Sequence, residues 1–208
     1  MDTVNTDNSA KKIQQDVENI VQKTIEVKQN ILTDKELLNN IAHCVRALTA
    51  CYRECGKLLL CGNGGSAADA QHIAAELSGR FYFDRPPLYA EALHVNTSYL
   101  TAVANDYDYN TVYARMLRAV GRPCDILFAF STSGNSQNII NAMHVAHEKE
   151  MLVVGFTGKN GGKMKDMCDI LLNVPSNDTP RIQEMHITIG HIICELVEKE
   201  LFGDPANR

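Results

Sequence analysis

No stretch of the 208-residue chain approaches the roughly 20 consecutive apolar residues that a bilayer-spanning helix needs. The N-terminus, MDTVNTDNSAKKIQQ, lacks the basic-then-apolar layout of a secretory signal. The sequence therefore reads as a soluble, cytoplasmic protein whose seven cysteines stay reduced. None of those cysteines forms a Cys-x-x-Cys pair. Only Cys51 and Cys55 stand close, four apart on an expected helix, which argues against a zinc finger and for buried thiols. Basic charge is also in short supply. With 20 Lys and Arg against 25 Asp and Glu, the net charge of −5 excludes a broad polyanion-binding surface and so a nucleic-acid partner. A single phosphate remains possible, because backbone N–H groups and hydroxyls at a helix N-terminus suffice to hold one. Internal repeats and low-complexity tracts are absent too, and 45% hydrophobic with 22% charged residues is ordinary globular composition for one domain.

Residues 10–55 carry two segments with helical apolar spacing. The first runs through Ile13, Val17, Ile20 and Val21, the second through Leu37, Leu38, Ile41, Val45 and Leu48, with a plausible N-cap near Thr33-Asp34. Five short apolar stretches follow: KLLLCG (57–62), LYAEAL (88–93), DILFAF (125–130), MLVVGFTG (151–158) and DILLNVP (169–175). Each precedes a turn and a helical pattern. Continuous apolar strands alternating with helices predict an α/β fold, a three-layer α-β-α sandwich around a five-stranded parallel sheet. The last helix is expected over 179–202, stopped by Gly203 with a proline soon after.

Ligands of such open sheets gather beyond the carboxyl ends of the strands. Three small-residue loops are expected there: Gly62-Asn63-Gly64-Gly65-Ser66, STSGNS (131–136) and TGKNGG (157–162). The second offers hydroxyls from Ser131, Thr132, Ser133 and Ser136 ahead of a helix, a phosphate seat that needs no lysine. A plain N-cap would use the same residue types. The first loop matches neither a Walker P-loop nor G-x-G-x-x-G.

The segment CGNGGSAADAQHIAAE (61–76) then places His72 and Glu76 one turn apart on a helix face. In the last helix Gln183 and His191 fall about 80° apart and share a face, whereas His186 lies on the other side of Gln183. A polar Gln/His line in an apolar helix wants partners, and His72 with Glu76 suit it. Two imidazoles, a carboxylate and an amide oxygen can hold a zinc or similar divalent ion, or can serve as base and acid around a bound sugar. The two uses are compatible.

The motifs CGNGGSAADAQH with Glu76 following, AVANDY (102–107), STSGNS, GFTGKNGGKM (155–164) and RIQEMHITIGHII (181–193) together closely resemble the phosphoheptose isomerases of the sugar-isomerase (SIS) domain superfamily. STSGNS alone identifies only the superfamily. The resemblance runs across nearly the whole chain. It implies residues 1–56 as N-terminal helices used in oligomerisation and residues 57–208 as the SIS domain proper. It further implies a homotetramer with active sites at subunit interfaces, and conversion of D-sedoheptulose 7-phosphate to D-glycero-D-manno-heptose 7-phosphate for bacterial surface glycans. By the same resemblance, metal ligands fall on His72, Glu76, Gln183 and His191, with one zinc per subunit. Catalysis falls on Glu76 and His191. Substrate contacts fall on Asn63, Gly64, Gly65, Glu76, Asn105, Asp106, Ser131, Thr132, Ser133, Ser136 and Gln183. Asn105-Asp106 reads from the residues alone only as a helix end. Asp69 and Arg80 match recurring family positions and could equally form a structural ion pair. Pro180 stands where some relatives carry an acid, leaving Asp178 as substitute or cap. A rival within the superfamily is a non-catalytic protein that binds a replication initiator, in which the acid/base residues are degraded; Glu76 and His191 are both present here.

Overall fold

The computed structural model describes residues 3–203. Two helices lead, α1 (Thr3–Thr33) and α2 (Lys35–Arg53), broken where the sequence places a cap: the Asp34 carboxylate accepts from Leu37 N at 3.0 Å. That bond satisfies one of the first-turn N–H groups that a helix start leaves unpaired. The rest of the chain alternates as expected: β1 (Leu58–Cys61), α3 (Gly65–Ser78), β2 (Ala90–Ala92), α4 (Thr97–Asp106), α5 (Val112–Val120), β3 (Ile126–Phe130), α6 (Gln137–Glu148), β4 (Leu152–Thr157), β5 (Ile170–Asn173) and α7 (Thr179–Phe202). All five strands are parallel, in the order β2-β1-β3-β4-β5.

Because side chains alternate along a strand, the buried strands feed two cores. Leu58, Leu60, Phe128, Phe130, Val154 and Phe156 pack with α2, α3 and α7 on one face. Leu59, Cys61, Leu127, Ala129 and Val153 pack with α4, α5 and α6 on the other. Each fully buried Leu or Phe contributes about 1.5–3 kcal/mol over leaving it in water. The strand order reverses between β1 and β3. Their carboxyl ends therefore flank the crevice where ligands bind in doubly wound sheets.

Two expectations need correction. No α-helix fills the β4–β5 connection; a 3-10 segment (Gly162–Met167) stands there instead. Gly161 and Gly162 have φ of 70° and 55°, and a Cβ on Gly162 would lie 2.5 Å from Ser133 O. The chain is thus pinned against the β3 loop and cannot wind into a full helix. Cys55, expected as a buried helical thiol beside Cys51, lies past the end of α2 with φ of 60° and is exposed, while Cys51 is buried. No described helix is long and apolar enough to cross a membrane.

Candidate functional site

The β1 loop turns into α3 through Gly64, whose φ of 55° favours glycine. Its neighbour Gly65 is closely approached by a side chain of α7. A Cβ there would lie 2.5 Å from Nε2 and 2.9 Å from Oε1 of Gln183, so the Gln183 amide lies against the first turn of α3. Farther along, a Cβ on Gly190 would sit 2.8 Å from Cγ1 of Ile73. The missing side chain lets α7 press onto α3, and the next residue of α7, His191, then meets the polar face of α3.

His72 Nε2 stands 2.9 Å from His191 Nε2 and 3.2 Å from Glu76 Oε1. One ligand atom from each of His72, Glu76 and His191 lies within 4.8 Å of the others. Donor atoms arranged tetrahedrally about zinc, each at 2.0–2.1 Å, stand about 3.3 Å from one another, so the trio fits a divalent ion with borderline N/O preference. His191 is partly buried, and that burial together with the neighbouring His72 holds its pKa below the ordinary imidazole value, Glu76 opposing. The Phe81 ring backs His191 at 5.7 Å between centroids. The structure thus brings together His72, Glu76 and His191. Gln183 lies about two turns before His191 on α7, with its amide beside Gly65 at the start of α3.

His186 faces the opposite way. It is wholly buried, edge-on to Phe130 and Phe156, with Nε2 3.1 Å from Thr157 O and no partner at Nδ1. Burial lowers its pKa to about 4, so it is a neutral core residue that donates from Nε2.

The STSGNS loop leaves β3 and curls so that Ser131 Oγ lies 3.0 Å from Ser136 Oγ and 3.4 Å from Ser133 Oγ. Gly134, at φ 65°, closes the turn by donating to Ser131 O at 2.9 Å. Ser136 occupies the N-cap of α6, but its hydroxyl does not cap that helix. Hydroxyls and first-turn amides therefore converge at a positive helix end, the arrangement a phosphate needs. A cavity of about 230 Å³ adjoins this loop, lined by Thr132, Ser133, Gly158, Lys159, Asn177 and Ile182. There the loops after β3 and β4 meet the first turn of α7.

Asn63, just past the carboxyl end of β1, is held by a residue with little signal in the sequence. Asn63 Nδ2 donates to Asn138 Oδ1 at 2.9 Å and Asn138 Nδ2 donates back to Asn63 Oδ1 at 2.8 Å. Tyr109 OH adds a third bond, 3.3 Å from Asn63 Oδ1. Most of the Asn63 amide is thus committed to the protein. The only signal of Asn138 in the sequence was an amide among apolar residues in the first turn of α6. Arg181 and Glu184, flanking Gln183, both bind Thr24 of α1, at 2.8 and 2.9 Å. Asn105 and Asp106 end α4, exposed, and bond each other at 2.9 Å. Among the described residues neither Asp69 nor Arg80 makes an ion pair. Asp69 Oδ2 is buried without a partner, and burial raises its carboxyl to about 6 against the pull of His72. Asp178 stands at the N-cap of α7 without a side-chain cap bond.

Residues 21–158 match the SIS domain family. The chain is 55% identical over 186 residues to a phosphoheptose isomerase of Mycobacterium tuberculosis, covering 89% of this chain and 95% of that protein. It is 52% identical over 187 residues to the one from Sulfurimonas denitrificans, covering 90% and 96%. Its structure superposes on the phosphoheptose isomerase of Neisseria gonorrhoeae with a TM-score of 0.84 at 43% identity, covering 90% of this chain and 99% of that one. The parallel sheet, the hydroxyl loop at its switch point and these similarities lead to one assignment: the chain belongs to the SIS domain family and, within it, to the phosphoheptose isomerases.

Proposed function

We propose that the chain isomerises D-sedoheptulose 7-phosphate to D-glycero-D-manno-heptose 7-phosphate through an enediol, supplying heptose for surface glycans. The observation that carries this reading is the meeting of Glu76 with His72 and His191 across two helices within 4.8 Å.

The reaction moves a carbonyl from C2 to C1, so one proton leaves C1 and one arrives at C2. Glu76 takes the C1 proton and returns it to C2; a carboxylate fixed beside the carbon supplies the positioned base that a weak carbon acid demands. His191 passes the hydroxyl proton between O1 and O2. The hydroxyls of Ser131, Thr132, Ser133 and Ser136 anchor the phosphate at the far end of the sugar. Asn63, Gly64, Gly65, Asn105, Asp106 and Gln183 serve as further substrate contacts. His72, Glu76, Gln183 and His191 would hold one zinc per subunit, which when bound polarises the carbonyl oxygen and stabilises the developing oxyanion.

Residues 1–56 form the oligomerisation part and residues 57–208 the SIS part of a homotetramer that places active sites between subunits. The apolar row Ile13, Val17, Ile20, Val21 and Ile25 on α1 is 43–62% exposed in the single chain, a face that favours burial against other copies. The enzyme works in the cytoplasm, where its sugar phosphate substrate resides. Incubating the purified protein with sedoheptulose 7-phosphate, with and without chelator, and resolving the products by NMR tests the reading. An aldoheptose phosphate supports it, and an unchanged ketose rejects it.

A further inference from the structure

Among the described residues two ion pairs are buried. Lys57 pairs with Asp125 at the amino ends of β1 and β3, far from the site. The other joins Arg85 and Glu198, with Nε 2.9 Å from Oε2 and both side chains 1% exposed. Burying such a pair adds little net stability, since apolar residues of equal volume usually do as well or better. What apolar residues cannot do is fix backbone groups, and this pair fixes six. Arg85 donates from Nη2 to Glu76 O at 3.0 Å, and from Nη1 to Leu77 O at 2.7 Å, Gly79 O at 3.2 Å and Pro86 O at 3.1 Å. Glu198 accepts from Phe81 N at 3.1 Å and Tyr82 N at 2.9 Å.

These attachments converge on the reactive pair. Glu76 and Leu77 carry two of the last carbonyls of α3, which lack intrahelical partners, so Arg85 caps the helix on the turn that carries the Glu76 carboxylate. Glu198 lies about two turns beyond His191 on α7. It also holds the N–H of Phe81, the ring that backs His191. One end of the ion pair grips the helix of the base, and the other grips the helix and the ring that orient the imidazole.

We infer that Arg85 and Glu198 are positioning residues for isomerisation: their ion pair sets the distance and angle between Glu76 and His191. This rests on the isomerase reading above. Misplacing a reacting group by about 1 Å costs on the order of a hundredfold in rate, so loss of the clamp lowers kcat while the phosphate anchor on β3 keeps KM nearly constant.

Glu198→Gln, Arg85→Lys and the double variant Arg85→Met/Glu198→Leu test this, the last because it removes both buried charges together and remains foldable. The matched control is Asp125→Asn, which breaks the other buried pair. In the folded clamp variants kcat at 25 °C is expected to fall at least about tenfold with KM changed less than about threefold. The ring 15N resonances of His72 and His191 should also shift, whereas the control lowers only the melting temperature. Clamp variants with wild-type kcat and unmoved His72 and His191 ring signals overturn the inference. If the unaltered protein leaves the heptulose phosphate untouched, the functional reading fails instead, and the ring signals still judge the clamp.

Discussion

His72 and His191, 119 residues apart in sequence, place their Nε2 atoms 2.9 Å apart across the α3–α7 contact. Both imidazoles cannot donate at that contact, so one ring is an acceptor there or the two lone pairs converge on a shared cation. With Glu76 Oε1 3.2 Å from His72 Nε2, the second arrangement gives a zinc-compatible triangle. His72→Ala should therefore lose about one equivalent of zinc per chain in metal analysis while the far-ultraviolet circular dichroism stays unchanged. Full retention of the metal would place it elsewhere.

Glu76 is the test of the chemistry. Glu76→Gln keeps the shape and leaves the fold unchanged, but it removes the base; kcat should fall by about 10²–10⁴. A variant with activity near that of the parent protein would assign proton abstraction to another group.

The reciprocal amide pair makes a separate prediction about the crevice. Asn138→Leu strips Asn63 of two hydrogen bonds in a partly buried setting, an expected loss of about 1–3 kcal/mol in denaturant unfolding. KM for the sugar phosphate should rise as the β1 loop loosens. Unchanged stability and KM would show that Tyr109 alone suffices to hold Asn63.

His186 predicts acid sensitivity. Its pKa is lowered from the ordinary 6.5 to about 4 in the fold, first by burial. The unfolded chain therefore binds a proton more readily than the native one below pH 6.5, and stability falls as the pH drops from there toward 4. The loss amounts to about 3 kcal/mol across that window and vanishes above it. His186→Leu should flatten this part of the stability–pH curve in urea titrations. A curve of unaltered slope would locate the acid-sensitive group elsewhere.

Close helix approach gives a fifth prediction. Gly190→Ala drives a methyl into Ile73 at the α3–α7 contact and should destabilise by about 1–3 kcal/mol. Because it spreads the helices at the level of His191, it should also reduce kcat. A drop in melting temperature with full kcat would show that the site tolerates a wider helix spacing.

Much of this architecture was legible locally. Asp34 announces the break between α1 and α2, since an aspartate side chain can satisfy a first-turn N–H wherever the chain goes next. Gly203 ends α7 by a different route, a positive φ of 88° that glycine tolerates, and the unbroken apolar runs at 58–61 and 126–130 mark strands buried on both faces. The four-residue spacing of His72 and Glu76 and the eight-residue spacing of Gln183 and His191 place each pair on one helix face. The helix expected between β4 and β5 was misread because the loop conformation there depends on contact with Gly134, a residue far away in the chain.

Sequence by itself determined what is short-range: where helices begin and end, which strands are buried, and which side chains share a face. Those features follow from dihedral preferences and periodicity over a few residues. Only the tertiary structure decided which faces meet. The His72–His191 contact, the Asn63–Asn138 pair and the Arg85–Glu198 clamp each join positions 75 or more residues apart, and such contacts depend on how two cores pack the helices onto one twisted sheet. That packing is a property of all the buried side chains acting together, and no local spacing encodes it.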